Sequence, residues 1–283
     1  VKYAVTAASG KLGSMAVKTL AKLVDPKDII ALARNTEKAS QLLPKGIEVR
    51  PGDYTIPGDL HNALKGVDRL LFISSIPGGA LPRIQEHLNV ITAAKNNDVQ
   101  YVAYTSFPHA DEARAPLAED HRNTELALNN SGLAHSFLRN NWYLEDELSR
   151  LKAAQAGEPF VYAGGEGRVG WALERFYAEA AAKVLVLDDP KVIYEFAGPA
   201  HTYEELAQAV ASIAEKEFKV QALELDTFEE QAAINLGADT AKVVTAIQAL
   251  IRDGELNENT TDFEDVLGYK IPSLNDQLKE LFQ

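Results

Sequence analysis

The chain reads as an α/β protein, with a doubly wound parallel sheet and a smaller, mostly helical C-terminal lobe. Three observations predict this. Strand-like and helix-like segments alternate about every 20–30 residues. The run Arg69–Ser74, RLLFIS, is continuously apolar, as a parallel strand buried on both faces must be. The chain also opens on a short apolar strand, a small-residue turn and an amphipathic helix.

Taken in order, Lys2–Thr6 is the first strand. From Leu12 a helical stripe runs through Met15, Ala16, Leu20 and Leu23. Ile29–Ala33 is the second strand. A helix over Thr36–Leu43 follows it, with Asn35 or Thr36 as N-cap. Ile47–Arg50 is the third strand, and Pro57–Lys65 is a helix stopped by Gly66. After Arg69–Ser74, the loop at Pro77, Gly78 and Gly79 leads to a helix over Leu81–Asn96. Val99–Thr105 and Ala134–Arg139 are strands, separated by a helix over Leu117–Asn130.

Beyond Asn140 the rhythm changes. Helices are expected over Trp142–Ala156, Leu173–Leu187, Tyr203–Lys216, Thr227–Ile234, Thr240–Asp253 and Ser273–Phe282, and strands over Pro159–Ala163, Val192–Ala197 and Lys219–Leu225. Residues 1–157 with 174–197 form the sheet domain in this reading, and 158–173 with 198–283 form the smaller lobe. A cleft between the two, at the carboxyl edge of the sheet, is the expected ligand site.

The opening turn, Ala7-x-x-Gly10-x-x-Gly13, lies between a strand and a helix. Small residues there let the backbone approach a pyrophosphate, and the helix start offers free N–H groups and partial positive charge. Ala7 stands where a first glycine is usual, so its φ is expected below zero. Arg34 closes the second strand, where an acid would bind the ribose 2′-hydroxyl of NAD. A guanidinium there suits a 2′-phosphate by charge and by its forked donors, which points to NADP. Asp53 follows the third strand. It is read either as an adenine-side contact or as a turn-forming aspartate.

Lys and Arg number 28 against 41 Asp and Glu, a net charge of −13. That balance, with no basic stripe, argues against nucleic-acid binding. There is no cysteine, which excludes disulfides, thiolate nucleophiles and Cys-based metal sites. No His, Asp and Glu set has a metal-ligand spacing, so no metal is expected. No apolar run approaches the ~18 residues of a membrane span. A soluble, cytoplasmic protein is expected, with its assembly left open and a homodimer as one option.

Several segments together carry a family likeness: AASGKLG, ALARN, GDY, LLFISS, EHLNVI, YVAYTS and FLRNNWYLED. In this set and order the chain resembles the NmrA-like branch of the atypical short-chain dehydrogenase/reductases, nearest the bacterial NAD(P)H:quinone oxidoreductase type. The resemblance implies a Rossmann-type fold and NADPH as cofactor. It places the pyrophosphate on Ala7, Ala8, Ser9, Gly10, Lys11 and Leu12, and the 2′-phosphate on Arg34. It further implies that Ser74 and Ser75 line the cofactor, and that Leu138, Arg139, Asn140, Asn141, Trp142 and Tyr143 lie along the nicotinamide. The family also contains NADP-binding redox sensors that do not turn over.

In the wider superfamily a catalytic serine ends the fifth strand, here Thr105-Ser106, and a Tyr-x-x-x-Lys follows on the next helix. This chain has Glu119-Asp120-His121-Arg122-Asn123-Thr124-Glu125 there instead. The missing pair argues against an alcohol dehydrogenase, which needs a proton donor. His121 is read as a surface histidine on an acidic helix face, the other reading being a substitute acid. Ser106, Phe107, His121 and Trp171 are the substrate-pocket candidates, and the aromatic residues among them suit a flat acceptor. The acidic run Glu145-Asp146-Glu147 is read as a solvated face. The expected function is hydride transfer from NADPH to a quinone or similar conjugated carbonyl, and the alternative is a non-catalytic NADP(H) sensor with a protein partner.

Overall fold

The computed structural model describes every residue from Val1 to Gln283. Along the first half lie β1 (Tyr3–Val5), α1 (Lys11–Leu23), β2 (Ile29–Ala33), α2 (Thr36–Leu42), β3 (Glu48–Pro51) and α3 (Pro57–Ala63). Next come β4 (Arg69–Phe72), α4 (Arg83–Asn96), β5 (Tyr101–Ser106), α5 (Glu119–Ser131) and β6 (Ala134–Asn140). The chain continues with α6 (Leu148–Gln155), β7 (Phe160–Tyr162), β8 (Arg168–Val169), α7 (Glu174–Val186), β9 (Ile193–Phe196), β10 (His201–Thr202) and α8 (Tyr203–Ala211). The last elements are β11 (Val220–Ala222), α9 (Leu225–Leu236), α10 (Ala238–Arg252), α11 (Asp262–Leu267) and α12 (Leu274–Leu281).

Seven parallel strands form one sheet in the order β3-β2-β1-β4-β5-β6-β9. The winding reverses between β1 and β4, so their carboxyl ends open a crevice between the loops that leave them. Central strands are apolar on both faces because helices cover both. One core layer joins α1 and α7 to the sheet through Ala16, Val17, Leu20, Ala178, Ala181 and Leu185. The small side chains at this contact let the two helices pack closely. The other face carries α3, α4 and α5, with Leu60, Val90, Ala94 and Leu128 buried against Phe72, Val102 and Tyr104.

The C-terminal elements extend from the β9 edge. Two small sheets tie them in: β7 with β11 and β8 with β10. On α11, Phe263 stacks on Phe196 of β9 at 5.0 Å and meets Tyr177 of α7 edge-on at 4.9 Å. No helix is long and apolar enough to cross a membrane.

Several stretches differ from expectation. The helix expected from Trp142 begins only at Leu148, after a 3₁₀ turn over Leu144–Glu147. The Asn141 side chain accepts the N–H groups of Trp142 and Gly170, and Leu144 donates to the carbonyl of Ala172. These bonds hold residues 141–143 extended alongside 170–172. The helix at Tyr203 starts in a capping box made by Thr202 and Glu205 but ends at Ala211. The short helix α11 had no periodicity long enough to announce it.

Candidate cofactor and acceptor site

The turn after β1 is built for close approach. The N–H of Gly10 donates to the carbonyl of Ala7 at 2.9 Å, and Ala8 donates to Leu32 of β2. A Cβ on Gly13 would lie 2.3 Å from the Ala7 oxygen, so only glycine lets α1 start this near the strand. Contrary to expectation, Ala7 has a positive φ of 50°. It adopts the left-handed conformation at a cost of about 1 kcal/mol, because the carbonyl must turn to meet Gly10. Gly10 caps α1 without any side chain, and the N–H groups of Lys11, Leu12 and Gly13 find no backbone acceptor. Ser9 is half-buried beside them, and Lys11 lies 3.6 Å from Glu174. This arrangement is a cradle for an anion.

Arg34 is exposed at the end of β2 with no hydrogen-bond or ion-pair partner, while Asn35 caps α2 by accepting from Lys38 at 2.9 Å. The free guanidinium therefore lies at the carboxyl edge, with only β1 between its strand and the switch point. Asp53 accepts both the N–H and the hydroxyl of Thr55 at 2.8 Å, as a turn-former does. Its neighbour Tyr54 is buried and donates to the carbonyl of Ile73 at 2.6 Å, tying the third loop to the fourth.

Beyond β4 the loop is fastened from two sides. Ser74 donates its N–H to Thr105 of β5 at 2.9 Å. Ser75 donates its N–H to His87 Nε2 at 3.0 Å, and its carbonyl accepts Arg83 at 2.7 Å. His87 is sealed in the core, and burial, reinforced by Arg83, pushes its pKa down to about 3 from 6.5. An unfolded chain binds this proton below pH 6.5 and the folded chain does not. Stability from this group is therefore full above 6.5 and falls as pH drops toward about 3. Denaturant melts at stepped pH should show this slope reduced in His87→Gln, by up to about 1.4 kcal/mol per pH unit. Parallel slopes would refute the assignment.

The six residues Leu138–Tyr143 divide sharply. Leu138 belongs to the core. Arg139 is buried, with its guanidinium held by Glu125 at 2.7 and 2.9 Å, Glu195 at 3.0 Å and Asp111 at 2.8 Å. Asn141 is bonded throughout, its amide also reaching the carbonyl of Leu256 at 3.1 Å. Asn140 donates to the Tyr143 hydroxyl, but its Oδ1 is buried without any partner. That orphan acceptor, half-buried Trp142 and Tyr143 are what the stretch offers to a ligand.

Among the acceptor-side candidates, Ser106 is buried and donates to Glu125 at 2.6 Å, so its hydroxyl is already engaged. His121 is not a surface residue. It is 7% exposed, packed beside Phe107 at 6.0 Å, with Nδ1 2.8 Å from the hydroxyl of Tyr104. Trp171 is 1% exposed and meets Tyr203 edge-on at 5.2 Å, so it supports the lobe from within and presents no surface to a substrate. Nor is the acidic run wholly solvated: Glu147 is buried, paired with Arg150 and accepting from Tyr203 at 2.9 Å. Above this pair lies a cleft of about 360 Å³ lined by Trp142, Asp146, Arg150, Tyr203, Val244 and Ile247.

One constellation has no counterpart in the sequence spacing. His109 lies between Glu195 and Glu258, which arrive from β9 and from the loop after α10. Next to it Glu255 accepts the N–H groups of Arg114 and Ala115 at 3.0 and 3.1 Å. Since Arg139 shares Glu195, the cluster acts as an ionic latch that fixes the loop after β5 to the C-terminal lobe. Its members are 86 and 149 residues apart from His109, too far for a motif to reveal.

Residues 7–173 match the model of the NAD(P)H-binding family. The chain belongs to that family. It is 35% identical over 282 residues to quinone oxidoreductase 2 of Escherichia coli, covering 99% of this chain and 98% of the relative. The crystal structure of the E. coli NADPH-dependent quinone oxidoreductase complexed with NADPH superposes with a TM-score of 0.93 at 34% identity, covering 99% of this chain and 100% of that one. An NmrA-like family domain-containing oxidoreductase of Aspergillus flavus is 31% identical over 152 residues, covering 51% of this chain and 49% of the relative. The full-length likeness is thus to the quinone oxidoreductase, while the likeness to the A. flavus protein spans about half of either chain. The residues present fit a dinucleotide phosphate: unsatisfied N–H groups at α1, a glycine that admits the turn, and a free guanidinium beyond β2.

Proposed function

We infer that this protein is an NADPH-dependent oxidoreductase that reduces a quinone or a similar conjugated carbonyl. The observation that carries the reading is the full-length likeness to an NADPH-dependent quinone oxidoreductase, at 34% identity and a TM-score of 0.93, together with a turn and an arginine that suit NADPH. The α1 start would hold the pyrophosphate, and Arg34 the 2′-phosphate. Ser74, Ser75, Asn140, Trp142 and Tyr143 would border the nicotinamide side, with Asp53 near the adenine. When bound, the reduced nicotinamide supplies a hydride. The chain's own work is to bind, orient and partly exclude water. Reduction of a quinone leaves a hydroquinone anion of modest basicity, which water protonates, so no Tyr–Lys pair is required. We place the protein in the cytoplasm, in keeping with a cysteine-free chain.

Consumption of NADPH with a panel of quinones tests the activity. Steady turnover supports it, and tight NADPH binding with no turnover would favour the sensor reading. Cofactor titrations test the role of Arg34. NADPH should bind at least tenfold more tightly than NADH, about 1.4 kcal/mol. Arg34→Asp should erase or invert that preference, and equal wild-type affinities would contradict it.

A further inference from the structure

A line of buried hydrogen bonds runs from the loop after β4 to His121, and the first link, from a backbone N–H, fixes the direction from which the others are followed. The backbone N–H of Ser75 can only donate, so His87 Nε2 is an acceptor and the ring proton lies on Nδ1. That nitrogen is 2.8 Å from the hydroxyl of Thr124, which gives its own proton to the carbonyl of Asp120 at 2.7 Å and so accepts from His87. The Tyr104 hydroxyl lies near two nitrogens, His87 Nδ1 at 3.5 Å and His121 Nδ1 at 2.8 Å. The first carries a proton, so Tyr104 donates to the second. The His121 proton is thereby placed on Nε2. This nitrogen has no partner in the protein and is not sealed from solvent, on a ring tilted beside Phe107 where β5 ends.

Resting on the quinone-reductase reading, we propose that His121 is a catalytic residue acting as a neutral Nε2–H hydrogen-bond donor to the acceptor's carbonyl oxygen. Tyr104 and His87 are positioning residues that set its tautomer. His121 occupies the helix turn where the wider superfamily has its tyrosine, but it does not give up a proton. A quinone that receives a hydride from NADPH gains two electrons and one hydrogen, NADP⁺ is formed, and negative charge grows on the oxygen. A fixed N–H aimed at that oxygen lowers the barrier, as a neutral imidazole does when it polarises a carbonyl. The proton that completes the hydroquinone comes from water. The ring faces Arg83 and His87 on α4 and the Tyr104 hydroxyl on β5, and that hydroxyl in turn faces Asp120 and Glu125 on α5. Burial first, then Arg83 and His87, hold His121 well below 6.5, so it remains neutral at working pH.

Two measurements test the role. Long-range ¹H–¹⁵N NMR of the full chain, with and without NADPH, reads the tautomers directly. His87 is expected as the Nδ1–H form and His121 as the Nε2–H form, both neutral at about pH 6. An Nδ1–H form or an imidazolium at His121 overturns the proposal. Kinetics then read the donor. His121→Ala should lose about 10- to 100-fold in kcat, with NADPH affinity retained. His121→Gln, which keeps a neutral N–H, should recover most of that loss. The wild-type profile should be flat over about pH 6–9. A titrating limb lost in His121→Ala makes it a proton donor and overturns the proposal, as does a Gln variant no better than Ala. Should the wild type reduce no quinone while the tautomers are as expected, the quinone reading has failed, and the catalytic role with it.

Discussion

Gly13→Ala is expected to lower NADPH affinity by at least about 100-fold and to melt earlier than the wild type. The new methyl would lie 2.3 Å from the Ala7 oxygen, 2.8 Å from its carbonyl carbon and 3.0 Å from the Ala8 Cα. All three are backbone atoms, so no side chain can swing away. The turn must move, and with it the free N–H groups of Lys11, Leu12 and Gly13. Overpacking of this kind costs about 1–3 kcal/mol. Ala7 is already at a positive φ, so the turn carries strain before substitution. Fluorescence titration with NADPH, paired with a thermal melt, checks both effects. A variant that binds NADPH as the wild type does would show that the turn is not the pyrophosphate cradle.

Arg139→Met is expected to lose about 3–5 kcal/mol of stability. The substitution leaves Glu125, whose side chain is 6% exposed, and Glu195 without the cation that neutralises them. Arg139 is held above the ordinary arginine range: burial opposes its charge, and Glu125 and Glu195 more than offset that. Arg139→Lys should rescue only part, because an ammonium cannot make the two parallel bonds to Glu125. Combining Arg139→Met with Glu125→Leu should recover part of the loss by removing one stranded charge. Denaturant melts of the three variants decide the matter, and a single Arg139→Met that unfolds with the wild type would refute the account. Because Glu125 also fixes Ser106, and Glu195 also meets His109, the loss should extend to the loop after β5.

What was legible in the sequence is what depends on near neighbours. Short apolar runs located the seven strands of the main sheet and period-3.6 stripes most of the helices, because each signal is written within one continuous segment. Ala7-x-x-Gly10-x-x-Gly13 marked the anion cradle, because the turn and the helix start are one continuous segment. Arg34 stood out by its place after β2, since a strand's end fixes which edge a side chain joins. By contrast, the φ of Ala7 does not follow from its own methyl group, because it is set by the carbonyl that meets the N–H of Gly10.

The tertiary structure alone decided which polar side chains are free. Arg139 lies in one run with Asn140 and Trp142, yet it is enclosed by carboxylates from α5, β9 and the loop after β5. His121 looked like a solvated histidine because its sequence neighbours are acidic, but Tyr104 and Phe107 enclose it from the sheet. Trp171 looked like a stacking platform and packs instead against Tyr203. In each case the deciding partner is distant in the chain. Burial and hydrogen-bond direction are set by such partners, and they determine whether a group titrates, donates or only supports.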